Sequence, residues 1–159
     1  MREKMYAMMQ ALVERSLEGA NILHDEREIS NLLASRGFQQ EEIFDALSWL
    51  QQIPADRREG ADPLLPSKRR RAVRVMHPEE HLAFSPAAQG LVHRLYNTGA
   101  IDDCLREEII QRCIDLSEEE IGLSEVKTVT LLVLLKERRE ALGSNILQIL
   151  EEEKVRPSN

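Results

Sequence analysis

The run VTLLVLL, residues 129–135, limits the fold more than any other part of the chain. It lies between EVKT and KERREAL and reads as the middle of one helix. Consecutive helical residues are 100° apart, so this run is apolar on nearly every side. A helix without a polar face has to be enclosed by other elements. The run is far too short to cross a bilayer, which takes about 20 apolar residues. It therefore belongs at the centre of a C-terminal helical body. Ser124 is expected to cap its start and Gly143 to break it. SNILQILEEE then forms a last short helix, and the chain after Lys154 frays.

Other helices follow from apolar spacing and from caps. Met5, Met8, Met9, Leu12, Val13 and Leu17 recur every three or four residues and give one stripe over residues 3–17, ended by Gly19. Asp25 is placed to cap a second helix, with Glu28 completing a D-x-x-E box, Ile29, Leu32 and Leu33 inward, and Gly37 as its stop. A third helix over 40–52 carries an apolar arc of Ile43, Phe44, Ala46, Leu47, Trp49 and Leu50. Trp49 at the edge of that arc reads as core. Further on, Ser85 and Pro86 open a helix whose inner face is Leu91, Val92, Leu95 and Tyr96, ended by Gly99. Asp102 or Asp103 opens the next, with Leu105, Ile109, Ile110, Cys113 and Ile114 inward.

Between these groups IPADRREGADPLLPSKRRR, 53–71, is rich in proline and charge and reads as a linker. AVRVM, 72–76, alternates and reads as a short strand. The expected fold is mainly α. An N-terminal three-helix, helix-turn-helix-like unit spans 1–53, a basic Pro-containing linker spans 54–72, and a C-terminal unit of three to four helices spans 73–159. Aromatic residues make up only 4% of the chain and glycines number 7, which suits helix packing better than sheets.

Charge narrows the functional classes. The net charge is −7, yet residues 61–75 carry five basic residues against one acidic. An acidic chain is repelled by phosphate, so a general binder of nucleic acid or anionic membrane is disfavoured. The helix-turn-helix segment RGFQQEEIFDALSWLQQ points Glu41, Asp45, Ser48 and Gln52 outward, and carboxylates oppose a phosphate-lined groove. Within the basic island Lys68, Arg69, Arg70 and Arg71 are the candidate phosphate contacts. They lack interleaved aromatics for base stacking. MREKMYAMMQALVERS is charged from the start, so no signal peptide is expected.

HPEEH, His77 to His81, fits H-x-x-E-H, the zinc pattern of inverted zinc peptidases. Pro78 argues against it, because a residue before proline is pushed out of helical geometry and the two rings then fail to align. A helix start is the plainer reading, with Glu79 and Glu80 in its positive first turn. Cys104 and Cys113 are nine residues apart, about half a turn out of phase, so they share neither a disulfide nor a metal. Both read as buried free thiols of a reducing compartment. The chain holds no G-x-S-x-G, Walker or G-x-G-x-x-G motif. No catalytic, cofactor or metal residue is expected.

Taken together, RGFQQEEIFDALSWL, VRVMHPEE, QGLVHRL, LREEIIQR and LSEVKTVTLLVLL resemble the bacterial Smg family, whose biochemical function is unknown. The resemblance covers nearly the whole chain. It rests on Gly37, Phe38, Ala46, Leu47, Trp49 and Leu50, and then on Arg74, Pro78, Glu79, Glu80, Gly90, Arg106, Glu107, Arg112 and Lys127. This chain departs from the pattern at His77, where Thr is typical, and in the Lys68–Arg71 run. The resemblance implies a cytoplasmic bacterial protein and brings no catalytic residues. Family genes often lie near DNA-processing and topoisomerase-like genes.

Arg74, Glu79, Glu80, Arg106, Glu107 and Lys127 are read either as a partner surface or as an ion-pair network. Charge pairs near helix ends are common and weak, which favours the second. The expected function is a non-enzymatic cytoplasmic interaction or adaptor protein with an unknown protein partner and no membrane. The alternative is a nucleic-acid-associated factor using the basic linker.

Overall fold

The computed structural model describes residues 2–19, 22–53, 76–136 and 148–151. Helix α1 spans Arg2–Leu17, and a 3-10 turn, Ile22–His24, leads into α2, Glu26–Ser35, and α3, Gln40–Gln51. Then come α4, Pro78–Ala83, α5, Pro86–Asn97, α6, Asp103–Leu116, and α7, Leu123–Lys136. Residues 148–151 are also helical. The fold is mainly α, as expected. The segments read as a linker, 54–72, and as a helix break, Gly143, lie outside the described residues. So does the proposed strand at 72–76, except for Met76, which is buried and outside any helix.

Local chemistry starts and stops the helices. Asp25 accepts from the Arg27 N–H at 2.9 Å, Ser85 from Ala88 at 3.2 Å and Asp102 from Leu105 at 2.8 Å. Each such cap stabilises its helix by about 1 kcal/mol. The D-x-x-E box on α2 does not close. The Asp25 N–H is taken instead by the Ile22 carbonyl at 3.0 Å, where the 3-10 turn runs into the helix. Gly37 at φ 89° ends α2 in a Schellman turn: Phe38 N–H reaches the Leu33 carbonyl and Gly37 N–H that of Ala34.

Ser124 is not the cap of α7. The chain is pinned just before that helix, where Ser85 N–H donates to the Ile121 carbonyl at 2.9 Å and Ile121 N–H to that of Ala83 at 2.7 Å. This bridge pairs Phe84 with Ile121, both buried. The chain turns helical at once from Gly122, whose carbonyl accepts from Val126, and Ser124 falls inside the first turn, exposed.

Helix α7 has neighbours on several sides. It packs against α1, α5, α6 and the 3-10 turn. Val126, Val129, Leu132, Val133 and Leu134 are fully buried against Met8, Met9 and Leu12 of α1, Leu91 and Leu95 of α5, and Leu105, Ile109 and Ile110 of α6. The buried side chains of the N- and C-terminal helices form a single cluster. The helix expected at the centre of the C-terminal body is thus also the floor on which the first helix lies.

Polar ties run across the same boundary. Lys136, buried at the end of α7, donates its ammonium to the Leu50 carbonyl in the last turn of α3. A cation is favourable there because helix C-termini carry partial negative charge. Arg112 of α6 donates to the Gln52 side chain at 2.6 Å. Burial holds the Lys136 ammonium below its ordinary pKa, opposed by the charge of Glu26. Folded chains therefore lose this proton at a lower pH than unfolded chains. Between the two values the unfolded state binds more protons, so this group's contribution to stability rises with pH. The urea midpoint of the natural protein, taken relative to Lys136→Met, is expected to rise as the pH climbs toward the ordinary lysine pKa of about 10.4. A flat or falling difference contradicts the assignment.

Two apolar residues expected inside face out. Phe44 is 69% exposed and Leu17 is 49% exposed. On α3 the covered side holds Ile43, Ala46, Trp49 and Leu50, which meet α1 and α2. Phe44 is about 100° round from Ile43, past the edge of that contact. It shares the outer face with Glu41 and Asp45, both exposed. Trp49 is buried, as expected of a core residue.

Candidate functional site

A groove runs between α1 and α7. Tyr6, Gln10, Val13, Glu14 and Leu17 recur at three- and four-residue spacing, so they line one side of α1. Ser124, Lys127, Thr128 and Leu131 do the same for α7. Leu150 and Glu151 close one flank of a cleft of about 320 Å³. Its apolar surface comes from Val13, Leu17, Leu131 and Leu150. Its polar surface is organised around the Tyr6 hydroxyl. Gln10 donates to that oxygen at 3.0 Å, and the Thr128 hydroxyl lies 3.4 Å from it. These contacts tie α1 to α7 at the Tyr6 hydroxyl.

Tyr6 is also a wall of a second cleft, of about 360 Å³. There the lining is acidic: Glu3, Glu118, Glu119, Glu120 and Glu125, with Leu116 and Ser117. The loop after α6 is tied by the Ser117 hydroxyl, which donates to the Glu119 carbonyl at 2.6 Å. One residue therefore joins an apolar cleft to an acidic one.

The charged residues singled out from sequence fall in different places. Arg106 is buried; its guanidinium donates to Asp103 at 2.9 Å and sits 4.0 Å above the Tyr96 ring. That is a packing and ion-pair role, with a cation–π contribution. Glu80 accepts the His77 N–H at 2.9 Å, while Glu79 is exposed beside it on α4. Glu107 is exposed on α6, and Lys127 lines the groove. Arg74 and the candidate phosphate contacts Lys68, Arg69, Arg70 and Arg71 lie outside the described residues.

Pro78 is the first residue of α4 and His77 is extended at ψ 146°, as the helix-start reading of HPEEH requires. Both histidines are exposed. Among the described residues no group of three His, Cys, Asp or Glu side chains is placed to hold a metal. The cysteines do point apart: Cys113 is buried and Cys104, expected to be buried too, is exposed. It lies on the first turn of α6 beside the exposed Asp102 and Asp103, on a side that none of the described helices covers. No described helix is long and apolar enough to cross a membrane.

Sequence reasoning missed Tyr6, Gln10 and Thr128. The available signal was the polar line of Tyr6 and Gln10 beside the apolar stripe of the first helix. Nothing local said that the seventh helix would face it.

A mainly α protein with an open, half-apolar and half-acidic groove is a class, and comparison with known proteins narrows it. Residues 5–156 match a family model described as "Protein of unknown function (DUF494)", and the chain belongs to that family, the Smg family. It is similar to a "Protein Smg homolog" from Shewanella amazonensis, at 31% identity over 136 residues, covering 86% of this chain and 84% of the relative. Another "Protein Smg homolog", from Colwellia psychrerythraea, is 26% identical over 155 residues, 96% of this chain and 99% of the relative. "Protein Smg" of Buchnera aphidicola is 29% identical over 121 residues, 72% of this chain and 77% of the relative. No solved structure matches.

Proposed function

We propose that this chain is a non-enzymatic interaction protein of the cytoplasm that docks a partner protein along the groove between α1 and α7. The observation that carries this is the cleft between α1 and α7, where the half-exposed Leu17 and the partly exposed Leu131 stand beside the buried Val13 and Leu150. A partner's apolar side chains would displace water from that lining. Full burial of a leucine-sized side chain contributes roughly 1.5–3 kcal/mol. Two or three such anchors supply roughly 3–9 kcal/mol before the cost of association, so by themselves they support only a weak, transient contact. Tyr6, Gln10 and Thr128 would set the register by offering hydrogen bonds at one place along the groove.

The test is a nuclease-treated pull-down from the native host, with the natural chain and with Leu17→Asp. Leu17 is half exposed, so the substitution leaves the core intact. A stoichiometric protein that survives nuclease and is lost with Leu17→Asp is the expected result. If nothing but nuclease-sensitive material is retained, the interaction reading fails and the basic stretch Lys68–Arg71 becomes the candidate.

A further inference from the structure

We infer that the occupant of this groove is a cationic amphipathic helix of the partner protein. Its apolar residues would lie on the Leu17 end and its Lys/Arg-rich end at Glu3, Glu119 and Glu120. The inference rests on the docking reading and adds the chemistry of what docks.

Three observations carry it. First, Tyr6 lines both clefts, so the apolar and acidic parts adjoin at that residue. Second, the two together follow α1 from Glu3 to Leu17. At 1.5 Å per residue this is roughly 21 Å, the length of a helix of about 14 residues. A compact small molecule fills one cleft and leaves the other wet, whereas a helix laid in the groove meets both. Third, the charge of the acidic end is one-sided, while Lys127 lies in the apolar cleft. Five glutamates line the acidic end, and the whole chain carries −7. Such a field steers cationic segments inward and repels nucleic acid and anionic membrane. A second copy of the chain brings the same net charge and is repelled likewise.

The test uses the purified full chain and a fluorescein-labelled synthetic peptide of about 14 residues, with leucines at helical spacing and lysines clustered at one end. One control peptide replaces Lys by Glu, another replaces Leu by Ser, and spermine is tried as a competitor. The Leu/Lys peptide is expected to bind in the micromolar range, with both controls roughly tenfold weaker or worse. Leu17→Asp and the double variant Glu119→Gln, Glu120→Gln should each weaken it by a similar factor. Binding should protect amides of α1 and of the first half of α7 from hydrogen exchange.

Equal binding of the Lys and Glu peptides overturns the inference, as does protection confined to other helices. Competition by spermine alone, with no need for leucines, assigns the acidic end to small cations and overturns it too. A concentration-dependent dimer that Leu17→Asp breaks gives the groove to a second copy and has the same force. A host partner lost with Leu17→Asp, combined with no charge preference among the peptides, removes the cationic helix while leaving the docking reading in place.

Discussion

Replacing Leu132 by alanine is expected to lower the free energy of unfolding by about 3 kcal/mol, roughly a hundredfold in the folding equilibrium. Leu132 is fully buried in the part of α7 that has no polar face. The helices around it come from both ends of the chain, so little freedom remains to collapse the cavity. Deleting a buried leucine side chain costs the transfer of its methyl groups and the cavity left behind. The consequence reaches past the C-terminal helices. Trp49, the sole tryptophan, is buried in α3 and reports on the N-terminal helices, while far-ultraviolet circular dichroism reports on all of them. Both denaturation midpoints should shift together and by the same amount. If the Trp49 transition stays put while the dichroism moves, the two sets of helices unfold independently. Leu82→Ala is the natural control: Leu82 is 85% exposed, and its loss should stay within about 0.5 kcal/mol.

The second large effect concerns the thiols. In the native protein a thiol reagent should label Cys104 at once and Cys113 more slowly by roughly three orders of magnitude or more. Cys104 is exposed at the start of α6, and Cys113 is 1% exposed on the inward side of the same helix. Burial pushes the Cys113 thiol well above its ordinary pKa, and the charge of Glu125 adds to this. The thiolate is the reactive form, so Cys113 is inert until the core opens. Cys104→Ser should abolish the fast phase. A denaturant that unfolds the chain should bring both thiols to the same rate. Two equally fast thiols in the folded protein would contradict the packing of α6 against α7.

What the sequence made legible was whatever is encoded within a few residues. Asp25 and Ser85 were readable as caps, and the cap of α6 as Asp102 or Asp103, because the N–H groups that such residues satisfy lie two or three residues away. Gly37 was readable as a stop for the same reason. The enclosed position of α7 was readable because an apolar run covering every side of a helix admits no other place. Its reach was not. That α1 shares it depends on contacts such as Thr128 with Tyr6, which are 122 residues apart. Ser124 was misread as a cap because the bridge between Phe84 and Ile121 starts the helix earlier, and no pattern near 124 encodes that bridge. Phe44 and Leu17 looked like core because periodicity gives the direction of a side chain and not whether a neighbour covers it.

The candidate site followed the same rule. Lys127 was singled out as a charge, and the structure puts it on the wall of the groove. Arg106 was singled out in the same way and is instead buried, with its guanidinium over the Tyr96 ring. Spacing alone does not separate these two cases, because each is a cation next to an apolar residue in the first half of a helix. The acidic loop Glu118–Glu120 is obvious as a charge run. Its meaning changes only when Tyr6 joins it to an apolar cleft made by helices from opposite ends of the chain.

Helices α1 and α7 build one core and one surface together, so the groove exists only in the joined chain. The most direct test is the fragment 1–53 produced alone, followed by Trp49 emission during urea unfolding. Without α7, Met8, Met9 and Leu12 lose the surface they pack on. Solvent-exposed Trp49 emission and no cooperative transition are the expected result. A fragment that unfolds cooperatively from a native-like, buried Trp49 would contradict it.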